Sequence, residues 1–424
     1  MIQSMGPRTI RAHPSPDAGP YARRMTYTGL ALAVFGVCAA LARVAVAAPA
    51  YGALLIGAIA LVLIAIISPT GCLALGVTTS LAGGSFASLG RVGLAAVVAG
   101  GSVLIVRGLR QEAAQMPTKP LLLTTVLATW LGFRLFFDSG LTALRLVGLC
   151  YLVVMALLFS DATSRDKLVR WMAWLGVVFV LVSVSFGVTS GLDNRFVGIS
   201  GNPNRMVFGV LIFGSFALHG LIYSKSWFER VAFAAGLGGG GWLILASGSS
   251  QGIAGAAVLA LIVVVYISRN LDYRIAVFWT VLAIALCIWI TVGSELLSSM
   301  SDDLRTLSGR TSLYDLGWES FMAEPIFGSG ELHVTDDLGQ SFSTHNSILG
   351  VAASAGLPAV AAWLLMTAWC VTSSLRGVRN GRLYLGCGVL VGVLQTVQSV
   401  EYFPLAWAAL LLPIAVAQGE PSND

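Results

Sequence analysis

Charge is what this sequence lacks. Only 11% of its 424 residues are Asp, Glu, Lys or Arg, against about a quarter in a soluble domain. Lysine is nearly missing, with three against 22 arginines, and there are four histidines. So little charge excludes the mixed ionic surface of a soluble protein. The apolar share is 56% and the mean hydropathy +0.83, so most of the chain must lie in lipid, where only helices and closed barrels satisfy the backbone. The alternation of barrel strands is also missing. The apolar runs are continuous and about 17–20 residues long, the length of a membrane-crossing helix. The expected fold is an all-α polytopic membrane protein with about 12–14 spans.

Other absences narrow the chemistry. The six cysteines (Cys38, Cys72, Cys150, Cys287, Cys370 and Cys387) all fall in apolar runs and none has metal-ligand spacing. They read as small core residues rather than disulfides or ligands, and no metal or cofactor is expected. There is no internal repeat and no low-complexity tract. The formal net charge of +5 is mostly topological and gives no argument for nucleic acid.

The runs place spans at 27–46, 51–68, 71–88, 91–106, 120–137, 141–160, 169–187, 204–223, 231–247, 252–268, 275–293, 345–375, 383–399 and 404–418. This divides the chain into a tail (1–26), helices one to eleven (27–293), a large polar loop (294–344), the C-terminal spans (345–418) and a short tail (419–424). Arg23-Arg24, an apolar run and Ala45-Val46-Ala47 resemble a signal peptide. Arg43 near the cleavage point, and the spans that follow, favour an uncleaved first span. With the N-terminus inside, 17 of the 25 basic residues fall in cytoplasmic segments, as the positive-inside rule requires. The large loop then lies outside.

The eight basic residues left on the outer side are all arginine: Arg43, Arg91, Arg134, Arg145, Arg195, Arg205, Arg305 and Arg310. An interfacial arginine is costly and needs a partner. Asp138 and Asp193 are the plain partners for Arg134 and Arg145. The sharper one is a lipid-borne phosphate or diphosphate, which suits the guanidinium fork.

Three segments stand out. In Arg195-Phe-Val-Gly-Ile-Ser-Gly-Asn202-Pro203-Asn204-Arg205, Asn202 suits an N-cap and Pro203 a first helical position. That puts Arg205 in a first turn, where free N–H groups and a cation make an anion site; a capped span with snorkelling arginines explains the same spacing. In the large loop, Ser308-Gly309-Arg310 opens a stretch with Leu313, Leu316, Trp318 and Phe321 at helical spacing, closed by Pro325. It reads as a short amphipathic helix on the membrane surface. Last, Thr344-His345-Asn346 stands where apolar sequence resumes, and Gly356-Leu357-Pro358 interrupts the helix soon after. The helix dipole keeps His345 neutral there, able to take a proton; a structural histidine is the plainer reading of one such residue. The acidic pairs Asp302-Asp303 and Asp336-Asp337 read as solvated loop.

Taken in order, Arg195, Gly198 and Asn202-Pro203-Asn204; then Ser308-Gly309-Arg310, Trp318, Pro325, Gly328 and Gly330; then His345-Asn346 and Gly356 resemble the O-antigen ligase and polymerase family over roughly 195–369. The resemblance implies a metal-independent, inverting glycosyltransferase of the bacterial inner membrane, with its site on the periplasmic face and no cofactor. The implied partners are a glycan donor on undecaprenyl diphosphate, a glycan or glycolipid acceptor and the bilayer. By position, Arg310 and Arg195, with Arg205, would grip the diphosphate, and His345 would activate the acceptor hydroxyl. Asn202, Asn204, Asn346, Arg134, Arg145 and Gln251 are supporting candidates. One departure stands out: the family usually has Ser-Arg-Gly where this chain has Ser250-Gln251-Gly252. Arg205 as a substitute, a different donor grip and an inactive member are all open. From another class, a flippase or exporter of the same lipids would also use outer arginines. It would need charges or broken helices deep in the spans, and the span interiors carry no charge. An inactive scaffold of an assembly complex is a third reading.

Overall fold

The computed structural model describes residues 60–82, 87–110, 118–189, 195–267, 313–331, 334–335, 341–342, 344–401 and 403–418. The chain divides into two units, Met1–Ala60 and Leu61–Asp424, and all described residues but Ala60 belong to the second. The expected spans 27–46 and 275–293, most of 51–68, and Arg43, Arg305, Arg310 and the paired aspartates lie outside the described residues, as do Cys38, Cys287 and the side chains of Asp138 and Arg145.

The fold is all-α and polytopic. Among the described residues four helices are long and apolar enough to cross a membrane, and four shorter apolar helices accompany them. The labelled helices, in chain order, are α1 (Pro69–Thr79), α2 (Ala87–Arg110), α3 (Thr118–Leu158), α4 (Ala162–Phe186), α5 (Pro203–Tyr223), α6 (Trp227–Ala246), α7 (Ser250–Ile267), α8 (Ser347–Arg379), α9 (Gly386–Leu394) and α10 (Pro404–Gln418). Two small antiparallel ladders join β1 (Val188–Thr189) to β2 (Phe196–Gly198) and β3 (Val334–Thr335) to β4 (Ser341–Phe342). Large apolar side chains such as Ile67, Leu122, Leu261 and Leu365 are exposed along the helices, as lipid-facing residues must be. Cys72, Cys150, Cys370 and Cys387 are buried free thiols.

Two helices answer the expected span pattern in unexpected ways. The helical stretch α3 covers 41 residues, where the sequence predicts two spans, 120–137 and 141–160. Yet the Thr125 and Tyr151 hydroxyls meet at 2.8 Å. In a straight helix 26 residues apart they would stand ~39 Å from each other. The stretch therefore turns back on itself and its halves lie side by side. Span 383–399 differs more. A single 3-10 turn (Leu383–Leu385) leads into α9, which stops at Leu394, and the chain runs on as turns and irregular backbone to Glu401, with Phe403 just before α10. Backbone of this kind is tolerated at membrane depth only when protein buries it or it lines a cavity; Gln395, Gln398, Val400 and Glu401 are buried.

The break in α8 is built by the large loop before it. Gly356 has φ 74° and ψ −171°, a conformation open essentially to glycine alone. Residues 313–323 are helical, and the strap after them is sewn to the break: Ser329 N–H donates to Ala353 O (2.7 Å), Gly330 N–H to Ser354 O (2.9 Å) and Leu357 N–H to Pro325 O (2.8 Å). Arg134 holds the strap from α3, donating to the carbonyls of Phe327 and Gly328 and pairing with Glu324 at 3.2 Å. Trp130 donates to Ala355 O at 2.7 Å and stacks on Phe327. The first part of α8 is thus a separate half-helix from Ser347 to Ala355, held at a fixed angle.

Candidate functional site

Three helix starts meet at one end of the bundle, and the irregular segment 395–403 joins them. At α5, the Asn202 side chain accepts from the N–H groups of Asn204 (2.9 Å) and Arg205 (3.1 Å), with Pro203 as the first helical residue; the expected cap is present. At α7, the Ser249 hydroxyl donates to Asn204 Oδ1 (2.8 Å), and Gln251 donates through Nε2 to Val397 O (2.6 Å). At α8, Asn346 is the N-cap, accepting from Ile348 and Leu349 N–H. Ser347 N–H donates to Gln395 O (2.8 Å), its hydroxyl donates to Gln398 O (2.9 Å), and it accepts from Val400 N–H (2.7 Å).

The predicted arginines divide by what already holds them. Arg195 donates from Nε to Ser247 O (2.8 Å) and from Nη2 to Gly248 O (2.9 Å). These carbonyls end α6, the negative end of its dipole, so Arg195 ties the β1–β2 hairpin to the α6–α7 turn and keeps the N–H groups of Nη1 and one of Nη2 for another partner. Arg134 is occupied by the strap. Arg205 differs. Its guanidinium lies 5.0 Å from the Phe403 ring centre, and no carboxylate or carbonyl engages it among the described residues. It is half-buried, at a helix N-terminus, over an aromatic face at the end of segment 395–403.

His345 stands immediately before the Asn346 cap with φ 52°, the one non-glycine residue with positive φ among those described. Such strain persists only where the surroundings fix it, and it clusters at functional sites. The Asn346 cap and the anchored Ser347 supply that fixing on one side. Thr344, buried, donates to Asn346 O on the other.

Two further residues belong to the cluster and were missed from sequence. Glu401 is buried, and its Oε2 has no hydrogen-bond partner. Burial pushes its carboxyl above the ordinary 4.5, and a hydrogen bond with Ser347 opposes the rise. A methyl group on Gly350, in the first turn of α8, would stand 2.8 Å from Glu401 Oε1 and 3.1 Å from Thr344 Oγ1, so the carboxyl sits under the histidine's helix start. Its signal was available: Glu401 is the one acidic residue between Asp337 and Glu420. The other, Phe403, carries no such mark. Gln251 Oε1 is a second buried atom without a partner. Buried polar atoms are nearly always paired, and of these two exceptions one lies within residues 395–401 and the other belongs to a side chain bonded to Val397.

A polytopic all-α membrane protein with a polar, arginine-bearing cluster at one end of its bundle is the class these features define. Residues 232–364 match the Wzy_C family model, described as O-antigen ligase. The match takes in most of α6, α7, the described part of the large loop, His345 and the first part of α8, and it supports the O-antigen ligase and polymerase family for this chain. Arg195 and Arg205 lie before it. No curated protein matches. A solved chain from "Structural coordination of polymerization and crosslinking by a peptidoglycan synthase complex" is similar at 16% identity and a TM-score of 0.39, over 71% of this chain and 97% of that one; likeness at that level carries no argument.

Proposed function

We propose that the protein is a glycosyltransferase that moves a glycan from undecaprenyl diphosphate to an acceptor hydroxyl, at the non-cytoplasmic face of the bacterial inner membrane. The observation that carries this reading is Arg205, an uncommitted cation at a helix N-terminus, joined through segment 395–403 to the helix start that presents His345. The family match and the positive-inside orientation support it.

The chemistry follows from the parts. His345 takes the proton of the acceptor hydroxyl as its oxygen attacks the anomeric carbon of the donor. The bond from that carbon to the diphosphate oxygen breaks on the opposite side, and the configuration inverts. Negative charge grows on the departing diphosphate, where Arg205, the first-turn N–H groups of α5 and the free edge of Arg195 can stabilise it; preorganised donors in a dry site are usually the largest catalytic contribution. Arg310 belongs to the same grip by the family resemblance. Gln251 stands where the family has an arginine, and its buried side chain, donating to Val397 O, suits a neutral amide better than an unpaired charge. On this reading Arg205 supplies the cation from the neighbouring helix.

The test is purified protein in proteoliposomes, given a lipid-linked glycan and, separately, a second lipid-linked glycan, a lipid A core or a protein as acceptor. A lengthened lipid-linked glycan marks a polymerase, and a glycan on either other acceptor a ligase. Intact donor with every acceptor class, from folded protein, would remove the transferase reading.

A further inference from the structure

The opposite end of the bundle holds a cavity of about 740 Å³. It lies between the beginning of α4, the end of α5, the beginning of α6 and the turn after α8. Three of these helices have their other ends at the candidate site, so the two regions are separated by the length of the bundle. The volume falls within the ~300–1,000 Å³ of small-molecule sites. The inner wall is aromatic, from Phe216, Phe233 and Tyr384, and the rim is charged.

Four features say what the cavity takes. The rim carries Arg170, Lys225 and Arg382 against Asp166 and Glu229. Glu229 is already neutralised, accepting from the Arg170 guanidinium and the Ser224 hydroxyl, whereas Lys225 has no hydrogen bond or ion pair among the described residues. At the inner wall, the His219 ring packs at a tilt against Tyr223 (4.6 Å) and meets Tyr384 edge-on (4.8 Å), yet its Nδ1 is buried without a partner. At the rim, α6 begins at Ser226 with no side-chain cap, so its first N–H groups are open to an anion. Finally, Tyr223, Trp227 and Phe228 are 50%, 74% and 64% exposed on either side of Lys225. Aromatic rings interleaved with a lysine mark the headgroup layer of a bilayer.

We propose that this cavity binds the headgroup of an anionic glycerophospholipid from the leaflet at this end of the bundle, the cytoplasmic one under the orientation above. The phosphodiester sits between Lys225 and the start of α6, and headgroup hydroxyls reach inward to His219. The Asp166 carboxylate favours a singly charged diester over free phosphate, whose second charge it would repel. An aromatic inner wall also gives free phosphate nothing to bind.

The experiment is native mass spectrometry of the whole protein released from nanodiscs of equal phosphatidylglycerol and phosphatidylcholine. The wild type should retain a phosphatidylglycerol adduct through detergent exchange. Lys225→Glu should reduce it at least tenfold, Lys225→Arg should keep it, and His219→Phe should weaken it several-fold. Retention by Lys225→Glu equal to wild type overturns the proposal. So does displacement of the adduct by millimolar inorganic phosphate, which would make the site one for free phosphate, and so does equal retention of phosphatidylcholine. The readout needs no glycan, so it stands or falls apart from the transferase reading.

Discussion

Replacing Gly356 by alanine tests whether the broken α8 is a built feature. At φ 74° and ψ −171° a side chain is strained by about 1–3 kcal/mol. The new methyl would also stand 2.2 Å from Ile326 O and 2.5 Å from Ile326 C. Backbone atoms cannot swing away as a flexible side chain would, and such overpacking costs a further ~1–3 kcal/mol. If the strap lifts off instead, three backbone hydrogen bonds between 325–330 and 353–357 are lost, each worth about 0.5–1.5 kcal/mol. The first route costs about 2–6 kcal/mol and the second about 1.5–4.5 kcal/mol, a large part of the ~5–15 kcal/mol that holds a typical protein folded. Gly238→Ala is the control, since a methyl there meets nothing within 4 Å. Thermal unfolding in detergent, followed by tryptophan fluorescence, should show a clear drop for Gly356→Ala and none for Gly238→Ala. Transfer should fall with it, because the half-helix that presents His345 loses its angle. A Gly356→Ala protein as stable and as active as wild type would refute the reasoning.

Other outcomes follow from the same contacts. Asn346→Ala removes the cap of the half-helix and should cost about 1 kcal/mol of stability, with a larger loss of transfer than Asn202→Ala if His345 is the base; equal activity losses would argue against that role. Arg134→Lys keeps the charge but loses the fork on Phe327 O and Gly328 O and should expose the 324–330 strap to protease; unchanged cleavage would contradict the strap's anchoring. Glu401 titrates above 4.5 in the folded protein, so its contribution is full below the unfolded value and is lost as pH rises through the folded one. Glu401→Gln should therefore flatten the fall of unfolding temperature above pH 4.5, and parallel profiles for the two proteins would contradict its burial as an acid.

Much of this was legible in sequence because local chemistry decided it. Asn202-Pro203 set a helix start by capping, and Gly356-Leu357-Pro358 announced a break. Hydropathy alone placed spans 204–223, 252–268 and 404–418 within two residues of helices α5, α7 and α10. What was not legible depends on contacts distant in sequence. Residues 395–399 read as apolar span because periodicity cannot tell a lipid-facing helix from buried irregular backbone. One partner of Arg134, Glu324, lay 190 residues away, beyond the reach of any local pattern. Arg195 and Arg205 looked alike, and only their surroundings separate an arginine tied to the end of α6 from one with its charge still to offer. Glu401 was visible as a lone acid, but nothing local linked it to residues 344–350.

The central claim is that transfer occurs at the end of the bundle where His345, Arg205 and segment 395–403 meet. Its most direct test is the rate of glycan transfer by His345→Ala and Arg205→Ala in proteoliposomes, each checked for wild-type unfolding temperature. Loss of a positioned base should slow His345→Ala by ~10²–10⁴, and Arg205→Ala should lose turnover and donor affinity together. Wild-type rates from either folded variant would contradict the account.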